Sequence, residues 1–157
     1  MARGQQESNF INELHSSILN YYPDAAFWKI PDMPTKRQHK KLFDIVAGFG
    51  GLHFTIEAKC HYSENSWPLD RVKDHQAEWL EKFNNNLFIS LIMIEVKTKK
   101  NHYVKLMPIK GYLFCLSLGF KSIKHDLLFD EGKNIIYKKD DLWNIPGMIL
   151  NCKGFIK

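Results

Sequence analysis

The sequence predicts an α/β fold in which helices flank a mixed central sheet, and three observations carry that prediction. Apolar residues recur at helical spacing in two separate stretches, at Phe10–Tyr21 and at Leu69–Phe83. Alternation of period two runs on either side of a glycine cluster, GFGG at 48–51. One run, LFISLIMIEV at 87–96, is almost continuously apolar, as a strand covered on both faces must be.

The elements follow in order. Phe10, Ile11, Leu14, Ile18 and Tyr21 mark an amphipathic helix after a Ser8 cap, ending near Pro23, with residues 1–7 expected to be flexible. AAFWKI at 25–30 reads as a strand. PDMPTKRQHKK at 31–41 is a loop, since its prolines turn the chain and its charges resist burial. LFDIVA at 42–47 and LHFTIEAKC at 52–60 form a hairpin around GFGG. WPLDRVKDHQAEWLEKFNNN at 67–86 reads as a second helix, 87–96 as the central strand, and HYVKLMP at 102–108 as its antiparallel neighbour. Beyond Pro108 come a short helix in IKGYLFCLSL, a turn at GFKSI and a strand at NIIYK. With no repeats or internal linker, residues 1–157 read as one domain, and 45% hydrophobic content suits one core.

Twenty-two Lys and Arg against 17 Asp and Glu leave a net charge of +5, which suits a polyanionic partner. Cys60, Cys115 and Cys152 are odd in number and form no CxxC pair, so neither a disulfide framework nor a zinc site is indicated, and free thiols suit the cytoplasm. No apolar signal core opens the chain and the longest apolar stretch is too short to span a bilayer, so the expectation is a soluble cytoplasmic protein without a membrane partner. No glycine-rich phosphate loop or serine elbow appears, and His53 and His75 have no nucleophile nearby in sequence. Cys60 and His61 are adjacent in a strand and point to opposite faces, so they do not ligate one metal together.

The hairpin carries the chemistry. A turn across Gly48–Gly51 places Asp44 opposite Thr55 and diagonal to Glu57, so that Asp44, Glu57 and Lys59 share a face while Phe43, Ile45, Phe54, Ile56 and Ala58 take the other. Two carboxylates so placed suit one hard cation, Mg²⁺ or Mn²⁺. Lys59 beside it would orient water or offset charge on a phosphorane-like transition state. The competing reading is an exposed salt bridge worth ~0.5 kcal/mol. Gln76 falls within the helical stripe of Leu69, Val72, Trp79, Leu80 and Phe83. Its carbonyl would face the metal or a metal-bound water, or else the amide is bonded to backbone in the core. Glu13, on the flank of the first helix, is either an additional acid of this site or a solvated charge, and Glu7 is a weaker candidate.

Asp44, then IEAK with Glu57 and Lys59, then Gln76, within this order of elements, resembles the PD-(D/E)xK nuclease superfamily and within it the RecU-type Holliday junction resolvases. WPLDRVKDHQ, AFWKIP and GFKSI are similar to further segments of that family, and the similarity runs from about Phe10 to Ile123. The resemblance implies a restriction-endonuclease-like core (αβββαβ) and a Mg²⁺-dependent endodeoxyribonuclease of the crossover-junction type, with Mn²⁺ able to substitute. It further implies action in recombination and repair as a homodimer on four-way DNA junctions. Asp44, Glu57, the Ala58 carbonyl and Gln76 would form the metal shell, Lys59 would position water, and Glu13 would join the catalytic set. DNA would be gripped by Lys36, Arg37, Lys40, Lys41, Arg71, Lys73 and Lys121. Where the family has a long stalk, this chain has only residues 31–41, and Leu42 stands where the family has a threonine. A nuclease for other DNA structures or duplex sites, or a non-cleaving DNA-binding protein, are the competing functions.

Overall fold

The computed structural model describes residues 3–31, 41–63, 65–124 and 134–155. Helix α1 spans Arg3–Tyr21. It starts five residues before the expected Ser8 cap, so residues 3–7 are helical. Strand β1 (Ala26–Lys29) follows, then β2 (Ile45–Phe49) and β3 (Leu52–His61). Next come a two-residue strand, β4 (Trp67–Pro68), a 3₁₀ turn at Leu69–Arg71 and α2 (Asp74–Asn84). Strands β5 (Ile89–Lys97) and β6 (His102–Pro108) lead into α3 (Ile109–Ser117). Four short strands, β7 (Ser122–Ile123), β8 (Ile135–Ile136), β9 (Lys138–Lys139) and β10 (Leu142–Trp143), precede α4 (Ile145–Lys153).

The main sheet has the order β1-β2-β3-β5-β6-β8. Its one parallel pair is β3 with β5, as expected where a helix makes the crossover, and every other neighbour is antiparallel. The leading order α1-β1-β2-β3-α2-β5, leaving aside the short β4, is the αβββαβ order read from the sequence. This is a mixed α/β fold with helices on both faces of the sheet. One face packs Phe10, Leu14 and Ile18 of α1 and Met148 and Cys152 of α4 on Ile45, Ile56, Ala58 and Met93. The other packs Leu80 of α2 and Tyr112 of α3 on Ile92, Ile94 and Tyr103. Among the described residues no helix is long and apolar enough to cross a membrane.

Three local readings change. The hairpin turns on Gly50 and Gly51, not across Gly48–Gly51. Both glycines have positive φ (57° and 76°), which a two-residue turn of this hand demands. At Gly50 an added Cβ would also lie 3.0 Å from Ile149. Ile45 therefore pairs with Ile56 and Phe49 with Leu52, a register two residues away from the expected one. Because strand faces repeat every two residues, the slip leaves the face of every side chain in the ladder unchanged. Phe43 lies before β2 begins and packs on the α2 side against Phe83, their rings 5.1 Å apart, instead of with Ile45. Finally, the second helix is shorter than read. Leu69 and Val72 are buried as its periodicity suggests, but Val72 is extended (φ −91°, ψ 125°) and breaks the chain between the 3₁₀ turn and α2.

Helix α4 went unread in the sequence although its start is legible. Pro146 stands in its first turn, and the Asn144 side chain accepts from the Gly147 N–H at 3.0 Å.

Candidate active site

At the open end of the hairpin β2 stops pairing with β3, and Asp44 stands at that end. Its N–H donates to the Ile56 carbonyl at 3.0 Å, closing the last rung. Its carboxylate then takes the place of the next strand residue: Oδ2 accepts from the Ala58 N–H at 2.8 Å. The two backbone groups of an extended residue point to the same edge, so the Ala58 carbonyl lies on the Asp44 side of β3. Oδ1 is paired with Lys41 Nζ at 2.7 Å.

Glu57 is 1% exposed, on the α2 face of the central strand β3. Its two oxygens are loaded unequally. Oε1 accepts from both Lys59 Nζ and Gln76 Nε2, the latter at 2.7 Å, whereas Oε2 is buried and has no hydrogen-bond partner among the described residues. Burial, and after it the charge of Asp44, pushes the Glu57 carboxyl up to about 7, with Lys59 pulling the other way. Leaving a buried carboxylate oxygen unpaired costs free energy, of order 1–3 kcal/mol. An arriving positive charge would relieve that cost and the repulsion from Asp44 together.

Gln76 is buried, at the third position of α2. Its carbonyl oxygen accepts from the Lys73 N–H at 3.0 Å and caps the helix, while its amide nitrogen faces Glu57. Of the two readings of Gln76, the carbonyl takes the backbone bond and not the metal-facing orientation, and the amide nitrogen is left to orient Glu57. Lys59 shares the face of Glu57 and is buried with it, so the charged face is the floor of a covered cleft and not an exposed sheet surface.

That cleft, about 300 Å³, is lined by Asp44, Glu57, Lys59 and Gln76 together with Glu7 and Ser8 of α1, Lys29 and Lys41. A neighbouring hollow of about 340 Å³ shares Glu7 and Lys59 and adds Asp70, Arg71 and Lys73. Glu13 lies elsewhere: it is 44% exposed and pairs with Lys138 Nζ at 2.8 Å. The acid that α1 brings to the site is Glu7, bonded to Arg71 at 3.3 Å. Glu7 precedes Phe10 and Ile11 by three and four residues, so it belongs to the buried face once α1 is started at Arg3.

Of the residues expected to touch DNA, Lys36, Arg37 and Lys40 lie outside the described residues. Lys41 is turned to Asp44. Arg71 is turned inward, to the Cys60 carbonyl and Glu7. Lys73 and Lys121 are exposed. Cys60 and His61 diverge as expected: the thiol lies 3.3 Å from Glu95, pushed up to about 12 by burial and then by that carboxylate, and His61 bonds the Asn65 carbonyl at 2.8 Å.

Among the described residues no three His, Cys, Asp or Glu side chains converge as a metal site. A cation here would rest on Asp44 and Glu57 with backbone and water oxygens, a donor set that suits Mg²⁺, which keeps several waters and takes one or two carboxylates. The orphaned Glu57 oxygen fits such an ion. Two carboxylates, an ammonium and an orienting amide thus converge in one cleft.

No protein-family model matches the sequence, and no curated protein does. Among solved structures the chain is similar to a 1.6 Å structure of Hjc from Archaeoglobus fulgidus, a Holliday junction resolvase from an archaeal hyperthermophile. The two share 17% identity at a TM-score of 0.44, over 66% of this chain and 74% of that one.

Proposed function

We propose that the protein is a Mg²⁺-dependent endodeoxyribonuclease that hydrolyses DNA phosphodiester bonds. The observation that supports this best is the buried Glu57 carboxylate, with one oxygen held by Lys59 and Gln76 and the other unpartnered beside Asp44. Asp44, Glu57 and the Ala58 carbonyl would hold the ion, which supplies Lewis-acid activation of the phosphoryl group and of water. Lys41 and Lys59 neutralise the two carboxylates in the free protein. On substrate binding Lys59 is placed to orient the attacking water and to offset the charge that builds on the phosphoryl oxygens. Gln76 keeps Glu57 in one rotamer, and Arg71 holds Glu7 at the wall of the cleft.

The four-way junction as substrate, and a homodimer cutting it symmetrically, are the finer part of the proposal. They rest on the resemblance of Asp44, the IEAK stretch and Gln76 to RecU-type resolvases and on the need for two sites related by a twofold axis. The test is a panel of four-way, flap and linear duplex DNAs incubated with Mg²⁺, Mn²⁺ or chelator. Metal-dependent cleavage that disappears in Asp44→Asn, with folding intact, is the expected result. Wild-type activity in that variant would remove Asp44 from the site. Cleavage of linear duplex at the rate of the junction would remove the junction assignment alone.

A further inference from the structure

Two of the four tryptophans, Trp67 and Trp143, are fully buried, whereas Trp28 is 71% exposed on strand β1. Large aromatic side chains left in water on a folded sheet are uncommon, and the position of this one is informative. Trp28 pairs with Val46 and Val46 with Thr55, so these three form one row across the sheet, on the face that carries Glu57. The next row toward the cleft contains Asp44 and Glu57, about 7 Å further along the strands at ~3.4 Å per residue. On the other side of Trp28 the row is Ala26, Gly48 and His53.

Small residues thus make a floor and aromatic ones make walls. Trp28, His53 and Phe88 border an open hollow of about 750 Å³ over Ala26, Val46 and Gly48. The hollow is apolar and is separate from the candidate cleft, which begins one row further along the same sheet face and is lined by Lys29, bonded to Ser8, and Lys41, paired with Asp44. Its far end carries Asp24, which disfavours a phosphate there. An occupant with a flat apolar part over Trp28 and an anionic part toward the lysines matches this polarity.

We propose that Trp28 is a stacking platform for an unpaired base of the DNA strand whose backbone runs into the Asp44–Glu57 cleft. This rests on the nuclease reading and extends it: the enzyme would favour DNA in which a base next to the cut is free to leave the duplex stack. Stacking on an indole is indifferent to base identity, so the platform selects for strand structure and not for sequence.

The test compares wild type with Trp28→Ala and Trp28→Phe, in chelator so that nothing is cut, using a fluorescent 20-nucleotide oligo-dT single strand and a four-way junction as probes. Trp28→Ala should weaken binding of the single strand about tenfold, Trp28→Phe should retain most of it, and neither should change the slope of log affinity against log salt, because no phosphate contact is removed. Binding of the single strand by Trp28→Ala within twofold of wild type overturns the platform, and so does a loss accompanied by a flattened salt slope. A separate Mg²⁺ cleavage assay keeps the two ideas apart. Cleavage by wild type with unaltered binding in Trp28→Ala defeats the platform and leaves the nuclease. Trp28-dependent binding without any cleavage upholds the platform and defeats the nuclease. Failure of wild type to bind either probe defeats both.

Discussion

Replacing Glu57 by Gln in the metal-free protein should change how stability depends on pH. The Glu57 carboxyl is raised from 4.5 to about 7 by burial and by Asp44. Between those two pH values the folded protein keeps a proton that the unfolded chain has released. Raising the pH through this window therefore favours unfolding. The stabilisation is fully present below pH 4.5 and is lost as the pH passes through about 7, at about 1.4 kcal/mol per pH unit, or about 3 kcal/mol across the window. Gln cannot ionise and retains an oxygen for Lys59 and Gln76, so the variant should lack this component. Urea unfolding of both proteins in chelator at several points from pH 4.5 to 8 measures it, other titrating groups cancelling in the difference. The variant should gain about 3 kcal/mol on wild type from the acid end to the alkaline end. Parallel stability curves would refute the argument, since they would mean that Glu57 is not forced to ionise in an unfavourable environment.

Two further substitutions address the neighbours of Glu57. Lys59→Ala should lower Mg²⁺-dependent cleavage roughly 10²-fold or more in single-turnover assays without weakening metal binding, read by calorimetry, because Lys59 pairs with Glu57 in the free protein and orients water in the reaction but is not itself a ligand; a protein that loses metal binding in parallel would contradict this. Gln76→Leu should cost about 1–2 kcal/mol in thermal or urea unfolding, because it strips the Lys73 N–H of its cap and Glu57 of a donor, despite the apolar surroundings; a more stable variant would show that neither bond matters.

Three of the residues that meet in the cleft, Asp44, Glu57 and Lys59, were legible because their information is carried by parity. Glu57 and Lys59 share a face in any strand, and Asp44 joins that face for every hairpin register that differs by two, so an error in the turn did no harm. Which end of a helix lies near a site is not a matter of parity. Glu13 and Glu7 both border the apolar stripe of α1, and only the docking of α1 across β1 and β3 brings Glu7 to the cleft and Glu13 to Lys138. The start of α2 was obscured because Leu69 and Val72 continue a helical spacing from a 3₁₀ turn, where burial demands the same residues. Sequence reasoning left the Gln76 amide between a metal and a backbone partner, and the choice depends on the Lys73 N–H needing an acceptor. The hollow at Trp28 arises where β1 and the loop at Phe88 flank the β2–β3 hairpin, an arrangement set by tertiary packing.

The segment Ile89–Lys97, in the middle of the sheet, is also the stretch of the chain most inclined to self-associate if released, being β-prone and nearly free of charge. Eight residues of β3 cover one of its edges and seven of β6 the other, while the strands at the rim of the sheet, β1 and β8, are four and two residues long. Short rims offer little template for a second sheet to add to. Shelf life of the folded protein and its behaviour on denaturation should accordingly diverge: concentrated native solutions stay clear, whereas any treatment that separates β5 from β3 leads to precipitation that dilution or cooling does not reverse.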